Sequence, residues 1–397
     1  MHQSEEITQR MNRVQLGAWI VAGVAIALSV IVALQDIDRF FSVYLVAYLF
    51  VIEIVLGCLG LLMVANLVGG KWSFAVMRFA SAGARTMPLM ALGFLPLLLG
   101  LNSLYPWMTE GVVTGNKEFY LTPALFFLRA LIYFAIWIGL AYGITELSYR
   151  NDGDNPNKTD VERTKLISII GLLVMFLTCT FAAVDWSMSL DAKWFSSVYG
   201  WLAISRMVLG AFAVLYIVFW LFQNIAPIKR FNTERAWSDY GTLMFVSLAV
   251  WMYLSVMQYL IYWSGNIASK VVWYEVRVEA PWGAISGLLI LFHLIPFILI
   301  LTPGVMRVRW VGAAVAGLLV FMRLVEMFWT VVPTVNPDYV FFILDIALPI
   351  GLSALTLGAA IWFLKAHPLV PGYHPDLENA LASDHHQEGG EHEVVVS

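Results

Sequence analysis

The chain has 397 residues, of which 60% are hydrophobic, 14% aromatic and only 13% charged, with a formal net charge of −4 and a mean hydropathy of +0.78. Soluble domains average about 45–50% apolar and about 25% charged residues, and 23 cations with 27 carboxylates cannot clothe a core of this size. Two cysteines exclude a disulfide framework, an all-cysteine zinc site and an iron–sulfur cluster held by four thiolates, and the acidic balance argues against nucleic acid. The composition is that of an all-α integral membrane protein.

Apolar runs of roughly 20 residues are long enough to cross about 30 Å of hydrocarbon as helices. Ten occur, near 14–34, 41–66, 86–106, 122–147, 165–184, 198–222, 239–263, 281–301, 308–332 and 340–364. A β-barrel would need alternating strands of about 10 residues, whereas these runs are continuous. Residues 1–13 form a polar head, residues 14–364 a ten-span transmembrane region, and residues 365–397 a polar tail. The head lacks a small-residue cleavage site, so the first run is expected to be retained as a span.

Taking the side that holds the N-terminus as inner, its segments carry 15 Lys and Arg residues and the outer segments carry 5: Arg39, Lys117, Lys193, Lys270 and Arg277. Cations favour the cytoplasm, so both termini are expected there. Two inner stretches stand out. Residues 69–85, GGKWSFAVMRFASAGAR, mix cations and apolar residues at helical spacing and suit a helix lying along the membrane surface. Residues 148–164 form the longest polar loop and are expected to divide two groups of helices. In the tail, His385, His386 and His392 have the composition of a metal site, but a solvated terminus is the expected state.

A charge at mid-bilayer costs about 2.5–3.5 kcal/mol on insertion scales, so each needs a partner or a task. Glu53 and His293 fall near mid-membrane; Arg129, Arg206, Arg323, Glu326 and Asp345 fall in the outer half. Arg323 and Glu326 share a helix face. Three arginines balance three carboxylates, either as ties between helices or as a proton path opening outward. The conduit reading names Glu53, His293, Arg323, Glu326 and Asp345, with Arg206 tuning them. The inner half offers mainly hydroxyls such as Thr178, Thr242 and Ser247. Only His293 lies in a span, so a bis-histidine haem is excluded, and no CxxCH, GxGxxG after a strand, P-loop or HExxH occurs. The chain is therefore expected to bind no redox centre of its own. Cys58 and Cys179 are expected to be apolar fillers.

Two outer segments are unusually aromatic: FAAVDWSMSLDAKWFSSVYGW (181–201) and QYLIYWSGNIASKVVWYEVR (258–277). An aromatic belt accounts for the rings, but not for Asp185 and Asp191 bracketing a turn, nor for the turn residues Ser264-Gly265-Asn266. An ordered outer cap, serving as a docking surface for another protein or as a structural cap and built from Asp185, Trp186, Asp191, Trp194, Trp263, Asn266, Trp273 and Tyr274, is the expected use, with a direct ligand site as the alternative.

The runs Asp185-Trp186, Met188-Ser189-Leu190, Trp194-Phe195-Ser196 and Tyr199-Gly200, with Gln258-Tyr259, Trp263-Ser264-Gly265-Asn266 and Trp273-Tyr274, resemble the NrfD-like membrane subunits of alternative complex III, a bacterial quinol:electron-acceptor oxidoreductase. The likeness is to the second, ActF-type subunit more than to its paralogue. It implies ten helices with two four-helix bundles, here roughly 41–184 and 198–332, no haem or cluster in the chain, and a place in the bacterial cytoplasmic membrane. It implies as partners a paralogous NrfD-like membrane subunit, a periplasmic iron–sulfur subunit, and multihaem and monohaem cytochrome c subunits, the outer segments forming their floor. In this family quinol oxidation is assigned to the paralogue, proton translocation is proposed for this subunit, and quinone or quinol is a candidate ligand. The expected function is thus a membrane subunit that is not catalytic alone, scaffolding outer redox subunits and conducting protons. A ten-helix secondary transporter is the alternative, and a pure assembly scaffold is a third reading.

Overall fold

Within hydrocarbon no water satisfies backbone N–H and C=O groups, so each apolar run closes its hydrogen bonds internally as a helix. The computed structural model describes residues 5–109, 112, 116–152, 157–302 and 304–372. Its helices are α1 (Glu5–Gln35), α2 (Ile37–Val68), α3 (Lys71–Ala84), α4 (Met87–Leu99), α5 (Leu101–Leu104), α6 (Asn116–Tyr120) and α7 (Pro123–Arg150). They continue with α8 (Lys158–Trp186), α9 (Tyr199–Phe222), α10 (Glu234–Gly265), α11 (Ala268–Val278), α12 (Trp282–Leu301), α13 (Arg309–Val335) and α14 (Ala347–Lys365). Among the described residues ten helical segments are long and apolar enough to span a membrane, α3 and α4 counting as one broken span. The chain is a polytopic all-α membrane protein.

Short polar residues set the boundaries. Asp36 accepts from the Arg39 amide at 2.9 Å and turns α1 into α2 within one residue. Thr233 accepts from the Ala236 amide at 3.2 Å to start α10. Asn266 closes α10 in the left-handed region at φ 42°, a conformation that asparagine tolerates better than most residues.

Packing sorts the spans into two rings. The α3–α4 pair, α7 and α8 close one ring with α2; α9, α10, α12 and α13 close the other. α2 and α9 form the seam, with α8 and α13 packed against it. Accordingly 94% of the apolar window of α2 is buried, against 17% for the peripheral α12. α1 and α14 pair antiparallel outside α2: Gln15 Nε2 donates to the Gly358 carbonyl at 2.9 Å and Lys365 Nζ to Asn12 Oδ1 at 2.6 Å. The start of α1 and the end of α14 therefore share one face.

Three expectations need correction. The stretch 69–85 does not lie along a membrane surface: α3 is buried among α2, α9, α10 and α14. Arg78 pairs with Asp152 and stands over the Tyr149 ring, so this charge of the helix is turned into the protein. The loop within 148–164 joins α7 to α8, neighbours in one ring, so it divides nothing; the passage between rings is the α8–α9 connection. The third span ends at Leu99 rather than 106, broken at Gly100, where a Cβ would sit 2.3 Å from the Phe41 ring. The tail histidines His385, His386 and His392 lie outside the described residues.

After α14 the chain clasps the inner end of α7. The His367 ring stacks on Tyr149 at 3.5 Å between centroids, Leu369 and Val370 are buried, and the Gly372 amide donates to Asp152 Oδ1 at 2.9 Å. Burial, then the guanidinium groups of Arg78 and Arg85, hold the His367 imidazole below its ordinary pKa. The free segment then binds the proton more readily than the docked one, so docking is complete above about pH 6.5 and weakens as pH falls below it. Hydrogen-exchange protection of the Leu369 and Val370 amides should drop on acidification in the native chain and stay constant in His367→Phe. A native chain whose protection ignores pH would contradict this.

Candidate functional site: a buried charge cluster beneath a lipid-facing cavity

α2 and α9 approach closely because Gly57 has no side chain: a Cβ there would sit 2.1 Å from the Met207 carbonyl oxygen and 2.6 Å from Ala211 Cβ. Glu53 lies one turn from Gly57 on the same face of α2, and Arg206 directly precedes Met207, so the crossing that glycine permits brings the two charges together. Glu53 Oε1 accepts from Arg206 Nη2 at 3.0 Å and from Nε at 3.2 Å, both side chains being buried. Gly210, one turn beyond Arg206, faces the stem of Arg323 from α13, whose Cγ would lie in ordinary contact at 3.9 Å from a Cβ there.

Arg323 forms a buried ion pair with Glu326 and donates from Nη2 to His293 Nε2. A guanidinium has no acceptor, so Nε2 must accept; the ring proton then sits on Nδ1, which donates to the Leu289 carbonyl at 2.7 Å. That fixes a neutral imidazole. Trp251 of α10 completes the group: its Nε1–H donates to Glu326 Oε1 at 3.0 Å, its ring lies 4.2 Å beneath the Arg323 guanidinium and 4.0 Å from His293. The Glu53–Arg206 and Arg323–Glu326 pairs interact electrostatically with each other. Five helices thus share one cluster of four charges and a histidine.

Above the cluster the second ring encloses a cavity of about 410 Å³. Arg206, His293 and Glu326 line its floor; Ser255, Gln258 and Tyr274 continue toward the outer end, where Arg277 closes it. Its side wall is lipid-facing: Val256, Tyr259, Val278 and the 70% exposed Ile290 both line the space and stand at the surface. Gln258 accepts from Ser196 and donates to Tyr274, each at 3.1 Å. Arg277 is buried without a carboxylate partner among the described residues; it donates instead to the Trp329, Trp273 and Thr330 carbonyls and to Thr334 Oγ1. Burial pushes its pKa down to about 9. A separate groove of about 560 Å³ opens between the inner ends of α10 and α12, lined by Glu234, Asp239, Arg309 and Phe245 among others. The Phe245–Phe297 ring pair, with centroids 4.9 Å apart, stands on the α10–α12 side between the two spaces.

Of the six conduit candidates, Glu53, Arg206, His293, Arg323 and Glu326 meet in this cluster. Asp345 does not. It sits at the outer start of α14, where Arg39 donates to it at 2.9 and 2.5 Å and the Phe342 amide at 2.7 Å. Arg129 also balances a different carboxylate, Asp185, at 2.8 and 3.0 Å. The eight docking candidates divide. Asp185 and Trp186 are buried in the first ring: Asp185 also accepts from Tyr133 at 2.8 Å, and Trp186 packs on Phe94 of α4 at 4.9 Å and Phe134 of α7 at 5.7 Å. Trp194 and Trp273 stack on each other at 4.7 Å and are also buried, and Trp273 and Tyr274 line the cavity. These five serve the chain's own packing because a carboxylate or indole at a span end finds its partners on neighbouring helices. Asp191 shapes a turn, accepting from the Lys193 and Trp194 amides at 2.9 and 3.1 Å. Trp263 and Asn266 remain exposed on the outer face.

Trp251, Gln258 and Arg277 were missed from sequence. The signal for Trp251 was its place in mid-span, far from the boundary where tryptophan gathers. No protein-family model matches the chain, and no curated protein is significantly similar to it.

Replacing Trp251 by Phe keeps the ring but removes the donor to Glu326. A buried acceptor left short of a partner costs about 1–3 kcal/mol, so Trp251→Phe should lower unfolding free energy by that order in a bilayer-mimetic unfolding titration. Unchanged stability would show that Glu326 does not depend on the indole.

Proposed function

We propose that this chain is a membrane subunit of a quinol-oxidising electron-transfer complex of the alternative complex III type, in which it carries protons between mid-membrane and the outer face. The observation that carries the reading is the cavity: its floor is Glu326, His293 and Arg206, its side faces lipid, and its polar wall leads outward through Gln258 and Tyr274. An amphipathic quinol could enter such a space from the hydrocarbon, apolar tail outward and polar ring toward the cluster. Glu326 is the best-placed proton acceptor, because the cavity reaches it, while His293 beside it is held neutral with Nε2 accepting from Arg323 and Nδ1 donating to the Leu289 carbonyl. Glu53, held by Arg206 behind the floor, sets the field in which Glu326 works. Electrons from quinol oxidation would pass to clusters and haems in partner subunits; quinol oxidation itself belongs to a paralogous subunit in this reading, and the membrane is the bacterial cytoplasmic one.

A secondary transporter is the second reading, favoured by the inner groove and the outer cavity occupying one ring with the Phe245–Phe297 pair between them. Solute uptake by the purified chain in liposomes, without partners, would select it.

For the leading reading, Glu326→Gln in the intact complex should reduce proton release coupled to quinol oxidation at least about tenfold, the lower range of general acid–base effects, with haem spectra unchanged. Asp345→Asn, outside the cluster, should leave proton release per electron unaltered. Native proton release in Glu326→Gln would contradict the reading.

A further inference from the structure

Two of the five outer cations are engaged inside the fold, Arg39 by Asp345 and Arg277 by carbonyls. Of the other three, Lys117 and Lys270 are far apart in sequence and come together, and Lys193 lies on the loop that both of them grip. Lys117 of α6 and Lys270 of α11 stand 5.6 and 4.0 Å from the centroid of one ring, Phe195. Lys117 donates to the Ala192 carbonyl at 2.9 Å and Lys270 to the Lys193 carbonyl, so both are pinned over the loop that carries Lys193 itself. Phe195 is 54% exposed between them. Among the described residues none of the three lysines makes an ion pair with a carboxylate. Asp191, a carboxylate whose charge acts on Lys270, has its Oδ1 engaged by the Lys193 and Trp194 amides. Burial, then Lys117, hold the Lys270 ammonium below its ordinary pKa, against the pull of Asp191. Like charges gathered around an exposed ring are unfavourable until a counter-charge arrives, and an ammonium bonded to one carbonyl keeps further donors for it.

We propose that Lys117 and Lys270 over Phe195, with Lys193 on the same loop, form a docking surface for an acidic protein partner on the outer face, Phe195 making the central apolar contact and the ammonium groups pairing with Asp and Glu carboxylates. A protein is the occupant this surface fits because it brings carboxylates to the ammonium groups together with an apolar side chain for the exposed Phe195 ring between them. The proposal takes from the functional reading only that this face meets partners, and it stands if the cavity conducts nothing.

The test uses the full chain in phosphatidylcholine nanodiscs titrated with fluorescent poly-L-glutamate. The native chain and a triple Lys→Arg variant at 117, 193 and 270 should bind, and binding should weaken with added salt. Combined Lys117→Gln, Lys193→Gln and Lys270→Gln should weaken binding at least about tenfold, as the loss of several rim charges requires. A glutamine triple variant that binds poly-glutamate like the native chain would overturn the proposal. So would one that binds it normally yet loses co-purified anionic phospholipid, which would make the patch a lipid contact. Neither result bears on proton release through Glu326, so the two readings fail separately.

Discussion

A carboxylate and a guanidinium buried at the seam of two helix rings hold this molecule to one arrangement. Neither Glu53 nor Arg206 is tolerable alone in hydrocarbon, and the pairing that makes them tolerable requires α2 and α9 to touch. The small residue at Gly57 allows that contact, and Arg323 of α13 packs beside it against α9. From this point the rest follows: Arg323 holds His293 and Glu326, and Trp251 brings in α10. The charges of the seam thus extend into the second ring and become the floor of its cavity.

The two rings use the same materials differently. In the first, Trp186 fills the space between α2, α4 and α7, and Asp185 is consumed by Arg129 and Tyr133, so the interior is packed solid around that pair. In the second, aromatic residues line a wall instead of filling the centre, and the ionisable groups face open space. A closed, saturated polar group is a tie between helices; the same kind of group at the bottom of a cavity is available for chemistry.

The spans were legible because hydropathy is a property of short stretches; the divide between the helix groups was not, since the long polar loop in 148–164 joins two neighbours of one ring. Five members of the cluster were legible for a similar reason: an ionisable residue within an apolar run announces itself. Partners were not. Arg129 pairs with Asp185 and Arg39 with Asp345 because those helix ends meet in space, which spacing along one helix does not reveal. The stretch 69–85 carries the pattern of a surface helix, yet Arg78 and Arg85 find Asp152 and Glu146 in the chain and the helix is buried. The lipid-facing opening and the convergence of Lys117 and Lys270 on Phe195 depend on contacts between distant segments, so sequence pattern carries no trace of them.

The central claim is tested most directly by a double-mutant cycle on the seam, with Glu53→Gln, Arg206→Gln and the combination unfolded reversibly in a bilayer mimetic. Removing one member of a buried pair leaves the other uncompensated and costs about 3–5 kcal/mol. The account predicts that each single variant loses stability on that scale and that the double variant is no worse than either. Single-variant losses that simply add in the double variant would contradict it, because the two side chains would then be acting independently.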